Sequence, residues 1–189
     1  YDTAKSGGDA SHFELVDAGA IRKYVVSDIY CGGLIDRRAA HCHPLNLCLG
    51  EARAAAGRGV RIYEGSAVEA IEHGATAVVS TPSGKVKAKT VILAGNAYHK
   101  LEQEKLVGMM LPAQTFTIVT EKIGADRAES VLPGNIAVCD ANWALDYFRR
   151  SADNRILFVG LCTYSNRVIA DIEGALMPRL IEIFPQLEG

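Results

Sequence analysis

Apolar positions recur along this chain in two rhythms, and each rhythm predicts elements. Leu45, Leu47, Cys48, Leu49, Ala52, Ala55 and Ala56 run as a small-residue helix until Gly57 and Gly59 stop it. His43-Pro44 is a good helix start, because proline fits the first turn. The small side chains would let this helix pack close to a sheet. Val60-Arg61-Ile62-Tyr63 then alternates as a strand, so helix, glycine turn and strand make one αβ step of a layered fold. Residues 66–72, 76–81 and 86–87 read as short strands separated by His73-Gly74 and Pro82-Ser83-Gly84. Thr90-Val91-Ile92-Leu93-Ala94 is nearly all apolar, which predicts a strand buried on both faces and ending at Gly95. A helix is expected over 98–107.

On either side of this region the pattern changes. Residues 1–10, with Ser6-Gly7-Gly8, read as a flexible start. Asp17 can cap a short helix running to about Tyr24 with Arg22 and Lys23 in its last turn, or Ser11-x-x-Glu14 can start it earlier as a capping box. Residues 24–30 are β-branched and aromatic and predict a strand, which Gly32-Gly33 would break. Strands are also expected over 115–121, 135–139, 144–150 and 155–161, the last two forming a hairpin through Ser151-Ala152-Asp153-Asn154. Residues 170–184 predict an amphipathic helix with Ile172, Leu176, Leu180 and Ile183 near one face and a kink at Pro178. The sum is an α+β chain: a layered α/β part and a separate antiparallel sheet.

Charge narrows the partners. The 189 residues carry 20 basic and 22 acidic side chains, for a formal charge of -2. That balance offers no electrostatic reason for a nucleic acid or an anionic membrane, and no apolar run is long enough to span a bilayer. At this length a chain buries roughly 70% of its unfolded surface and needs no staple. The five cysteines are odd in number and form no C-x-x-C pair, which predicts reduced thiols and a cytoplasmic protein. In His41-Cys42-His43 adjacent residues point apart and no second cluster completes four ligands, so no metal site is assigned. The chain opens on Tyr1 without a visible leader, as expected of a piece of a longer protein.

Several phrases in order resemble one family. They are Cys31-Gly32-Gly33-Leu34-Ile35-Asp36, His43-Pro44, Ala52-x-x-Ala55-x-x-x-Gly59-Val60-x-Ile62 and Gly65-Ser66-x-Val68-x-x-Ile71. Gly84-x-Val86-x-Ala88-x-x-Val91-Ile92-Leu93-Ala94-Gly95-Asn96-Ala97-Tyr98 is the best marker, followed by Tyr147-Phe148-Arg149-Arg150 and Arg155-Ile156-Leu157-Phe158-Val159-Gly160. Together they resemble the flavoproteins of the D-amino-acid oxidase and glycine oxidase group, with wording nearest the gamma-glutamylputrescine oxidases. The resemblance implies an interior fragment. Residues 1–35 would lead into the substrate domain, 36–108 would be part of an FAD-binding domain, and 109–189 would be the substrate domain. The family's G-x-G-x-x-G turn, whose helix N-terminus holds the flavin pyrophosphate, does not occur in these residues.

The functional expectation is therefore split. The full-length parent would bind FAD and oxidise the C–N bond of a small amine or amino acid to an imine. This chain would be inactive and hold flavin weakly or not at all, since each missing charge-assisted hydrogen bond is worth roughly 1.5–3 kcal/mol. The rival from another class is a non-catalytic α+β module without flavin that forms a homodimer or exchanges domains through exposed apolar surface. A nicotinamide dehydrogenase is weaker, because it needs the same glycine turn. By resemblance, Val68 would present backbone to the adenine, and Ala94 and Gly95 would lie close to the dinucleotide. Arg149 would hold a substrate carboxylate, Tyr147 would close over it, and His43 would face the flavin. Trp143 would wall the same cavity or sit in the core. The plain alternatives are a core valine, a strand end needing a tight turn, a solvated strand arginine and a structural helix-start histidine. No catalytic acid or base is assigned.

Overall fold

The computed structural model describes residues 10–106, 108–164 and 168–189. The chain divides into two compact units, Tyr1–His41 with Ala113–Gly189, and Cys42–Pro112. Every strand pairing among the described residues is antiparallel, and helices accompany the sheets, so the fold is α+β. None of the helices is long and apolar enough to cross a membrane.

In the first unit, β1 (Phe13–Asp17) pairs with β2 (Gly32–Asp36). This overturns the capping box at Ser11, because Glu14 lies inside a strand. Asp17 does not cap a helix: its carboxylate accepts from the backbone of Gly19 and Ala20 in the turn after β1, and the single 3-10 turn that follows, Ile21–Lys23, has Ala20 as its N-cap without a side-chain cap. Gly32-Gly33 opens β2 instead of breaking a strand; a Cβ on Gly32 would lie 2.6 Å from the Val16 carbonyl oxygen. The strand expected over 24–30 is absent. That segment is tied to helix ends instead: the Val26 amide donates to Val131 O at 3.0 Å and Ser27 Oγ to Ile183 O at 2.6 Å. The flexible start expected over 1–10 falls, but for Ala10, outside the described residues.

The second unit begins with α1 (Pro44–Gly57), with His43 in extended conformation as its N-cap and Pro44 in the first turn. Gly59 follows at φ +87°. A three-stranded meander comes next, β3 (Ala70–Glu72), β4 (Ala77–Thr81) and β5 (Gly84–Ala88), with β4 in the centre. Two expected strands do not form. Residues 60–63 and 90–94 are irregular, and Ile92 is 84% exposed. A strand needs a partner's backbone to pair with, and no described strand pairs with either run. No residue of α1 is buried, so its small-residue face does not pack on a sheet here. The helix expected over 98–107 shrinks to α2 (Gln103–Leu106), preceded by Glu102 at φ +56°; residue 107 is not described.

Returning to the first unit, β6 (Gln114–Val119), α3 (Ala125–Val131), β7 (Ala137–Cys139), β8 (Tyr147–Arg150) and β9 (Ile156–Thr163) lead to α4 (Ile172–Ile183). The sheet order is β6-β9-β8-β7. The expected hairpin forms, with the Ser151 amide donating to Arg155 O at 2.9 Å and Asn154 at φ +61° supplying the left-handed turn residue. A bulge interrupts β6–β9: Phe116 faces Gly160 and Thr115 faces Cys162, which leaves Leu161 unpaired at φ +57°. Leu176, Leu180 and Ile183 of α4 are buried, while Pro178 stays on the exposed side.

The core of this unit gathers Val25, Phe116, Leu132, Phe148, Ile156 and Phe158 under α4 and Phe184. Gly160 sets how closely β9 can approach: a Cβ there would lie 2.9 Å from Asp146 Oδ1 and 3.0 Å from Leu176 Cδ2. Gly160→Ala should therefore lower stability by about 1–3 kcal/mol through overpacking. A urea midpoint unchanged from the parent protein would show that α4 can shift without loss.

Candidate functional site

The strand period divides the first unit's four-stranded sheet into two faces. Phe116, Phe148, Ile156 and Phe158 turn to the core. Tyr147 and Arg149 share the opposite face, as the alternation of the sequence predicts. Tyr147 lies across from Cys139 and Val159, and Arg149 across from Ala137 and Leu157. Strand β6 adds Thr117 and Val119 to this face. Tyr147 is 39% exposed and Arg149 half-buried, so a polar phenol and a guanidinium stand among short apolar side chains.

Arg149 is paired differently from its neighbours. Arg150, on the core side, is held by Glu129 at 2.5 Å and by Asn154 Oδ1 at 2.6 and 2.9 Å. The Gly134 amide and Arg150 hold the Glu129 carboxyl below the usual range. Arg155 pairs with Asp153, whose carboxyl is lowered to about 2 by Ser151 and Arg155. Arg149 has no carboxylate partner among the described residues. Its Nη1 meets His41 Nδ1 at 3.3 Å, and His41 Nε2 meets the Asn135 carbonyl at 3.2 Å. From the sequence, His41 stands out only as a metal-ligand candidate. No signal in the spacing could have found this contact, which joins residues 108 positions apart.

A polar network anchored on α4 holds the loop from β7 to β8. Arg179 Nε binds Asp146 Oδ2 at 2.7 Å, and the Asp146 amide donates to Asp140 Oδ1 at 3.0 Å. Burial pushes the Asp146 carboxyl up despite Arg179, with nearby Asp140 adding to the rise. Burial, then Asp140 and Asp146, raise the Tyr30 phenol. The Cys139 thiol is pushed up by burial and by Asp140. This loop carries Trp143, which is 99% exposed and so fills no core position.

The other predicted residues lie in the second unit. His43 Nδ1 accepts from the Asn46 amide at 3.4 Å, which is the structural helix-start role. Val68 is 39% exposed, so it is not a core valine. Ala94 and Gly95 do not end a strand; Gly95 O accepts from the Tyr98 amide at 3.2 Å, and a Cβ on Gly95 would press within 2.8 Å of the His99 ring. A dinucleotide diphosphate needs free amides at a helix N-terminus opened by glycines. At α1 the first position is proline and the Asn46 amide is already taken by His43. The N-terminus of α1 therefore does not offer a diphosphate cradle.

Comparison with known proteins agrees with the motif resemblance. The family model described as FAD dependent oxidoreductase matches residues 1–189. The chain is 48% identical over 178 residues to the gamma-glutamylputrescine oxidoreductase of Escherichia coli (strain K12). It is 38% identical over 183 residues to the probable oxidoreductase OrdL of Haemophilus influenzae, and 30% over 177 residues to that of Rhizobium meliloti. These matches take in 93, 94 and 93% of this chain but only 42, 42 and 41% of the relatives. The chain thus spans about two fifths of their length.

Proposed function

Because the chain belongs to the FAD dependent oxidoreductase family, we propose that it supplies the substrate-facing sheet of an oxidoreductase acting on the C–N bond of a small amine or amino acid. The single observation that carries this reading is Arg149, a strand arginine on an open apolar face with no carboxylate partner among the described residues. A guanidinium so placed is a receptor for an anion, best a carboxylate held by two parallel N–H donors. Tyr147, one pleat away, supplies a hydroxyl and a ring to close over the substrate. A bound flavin would supply the hydride acceptor. Val68 is the backbone position proposed to meet its adenine, Ala94 and Gly95 are proposed to lie close to the dinucleotide, and His43 is proposed to face the flavin. Neither a nucleic acid nor a membrane is part of this reading.

By itself the 189-residue chain should hold FAD too weakly to act. A second reading, a flavin-free module that pairs with itself, is favoured by the apolar side chains left exposed in the second unit, Ile92, Ile62 and Val60 among them. One preparation tests both. The purified chain should be colourless, show no saturable flavin fluorescence quenching and give no peroxide with amines. A longer protein containing these residues should be yellow and active on an amine that carries a carboxylate. Stoichiometric flavin on the chain would overturn the first expectation. Sedimentation of the colourless chain as a monomer at all concentrations would overturn the second reading.

A further inference from the structure

We propose that His41 is a positioning residue for Arg149, holding the guanidinium ready for a substrate carboxylate without neutralising it. This rests on Arg149 being the carboxylate receptor. A guanidinium can only donate hydrogen bonds. The 3.3 Å contact from Arg149 Nη1 therefore requires His41 Nδ1 to be the unprotonated ring nitrogen. The proton of the neutral imidazole must then sit on Nε2, which donates to the Asn135 carbonyl at 3.2 Å. That carbonyl belongs to the backbone just before β7, the strand next to β8. One backbone group thus sets the tautomer, the tautomer sets the acceptor, and the acceptor orients Arg149.

The choice of partner matters as much as the geometry. A carboxylate beside Arg149, like Glu129 beside Arg150, would hold the side chain equally well but would cancel its charge. A neutral imidazole takes one of the five N–H donors and leaves the positive charge and the other donors for the ligand. It also removes part of the rotamer freedom that a long arginine would lose on binding. The ligand class this selects is an amine bearing a carboxylate, recognised at its acid end.

The experiment uses the full-length oxidoreductase containing these residues, with an amino acid and the matching amine that lacks the carboxylate. His41→Phe should raise KM for the carboxylate substrate about tenfold, the loss of one orienting hydrogen bond, with kcat changed less than about twofold and the uncharged amine unaffected. His41→Asn, whose Oδ1 can take the place of Nδ1 as acceptor, should restore KM to within about threefold of the parent. Equal effects on both substrates, no effect of His41→Phe, or no rescue by asparagine in a protein of unchanged thermal midpoint overturns the role of His41. An Arg149→Gln variant that keeps the preference for the carboxylate overturns the underlying reading instead, and the inference with it. Nitrogen-15 NMR of the unmutated protein decides the matter even if His41→Phe does not fold. A proton on Nε2 with Nδ1 unprotonated supports the proposal, and a proton on Nδ1 refutes it.

Discussion

Phe148→Ala is expected to remove about 3–5 kcal/mol of stability, the range for deleting a fully buried phenylalanine. Phe148 is 2% exposed in the middle of β8. Its ring stacks near Phe158 at 6.2 Å, meets Phe184 edge-on at 5.1 Å and lies 6.3 Å from Tyr30. Those neighbours come from β9, from the residue just after α4 and from the segment before β2. The void is therefore walled by three separately anchored pieces of chain, and collapse around it would have to shift all three. Phe148→Leu should recover roughly half of the loss by refilling most of the volume. Thermal unfolding monitored by circular dichroism should show a midpoint lower by roughly 10 °C for the alanine variant in a chain of this size. A drop of less than about 1 kcal/mol would mean that the sheet and α4 do not share one core.

Arg149→Gln in the full-length oxidoreductase should raise KM for a carboxylate-bearing amine about a hundredfold, since charge-assisted bonds contribute roughly 1.5–3 kcal/mol each. The uncharged amine should be handled as before. Stability should change little, because Arg149 makes no ion pair among the described residues and one hydrogen bond to His41. Arg150→Gln supplies the contrast one position along. It breaks the contacts to Glu129 and Asn154 that brace the β8–β9 turn, so it should lower the urea midpoint and leave KM alone. Exchange of these two phenotypes would place the substrate on the other face of the sheet.

Local signals proved readable and distant ones did not. The start of α1 can be read from His43-Pro44 and its end from Gly59, all within a few residues of the feature they decide. The β8–β9 hairpin can be read from two alternating runs joined by a turn in which asparagine tolerates the left-handed region. The shared face of Tyr147 and Arg149 comes from the strand period alone. The misread runs are 24–30, 60–63 and 90–94, each with strand-forming side chains. Side-chain type makes a strand eligible, but only a partner's backbone makes it a strand. At 24–30 the available partners are helix ends, which take the amide of Val26 and the hydroxyl of Ser27 one at a time. The link between His41 and Arg149 was hidden for a related reason. It depends on which loop folds over which strand, and no spacing rule spans so many residues.

Leu161 lies outside the ladder count on β9. Because it is the extra residue of the kink, the side chains beyond it, starting with Cys162, sit where they would if the strand were one residue shorter. Removing any other residue from the paired part of β9 would turn the remainder of the strand inside out. At this one point the strand carries spare length, so a family member could gain or shed a residue here while both surfaces of the sheet kept their assignments.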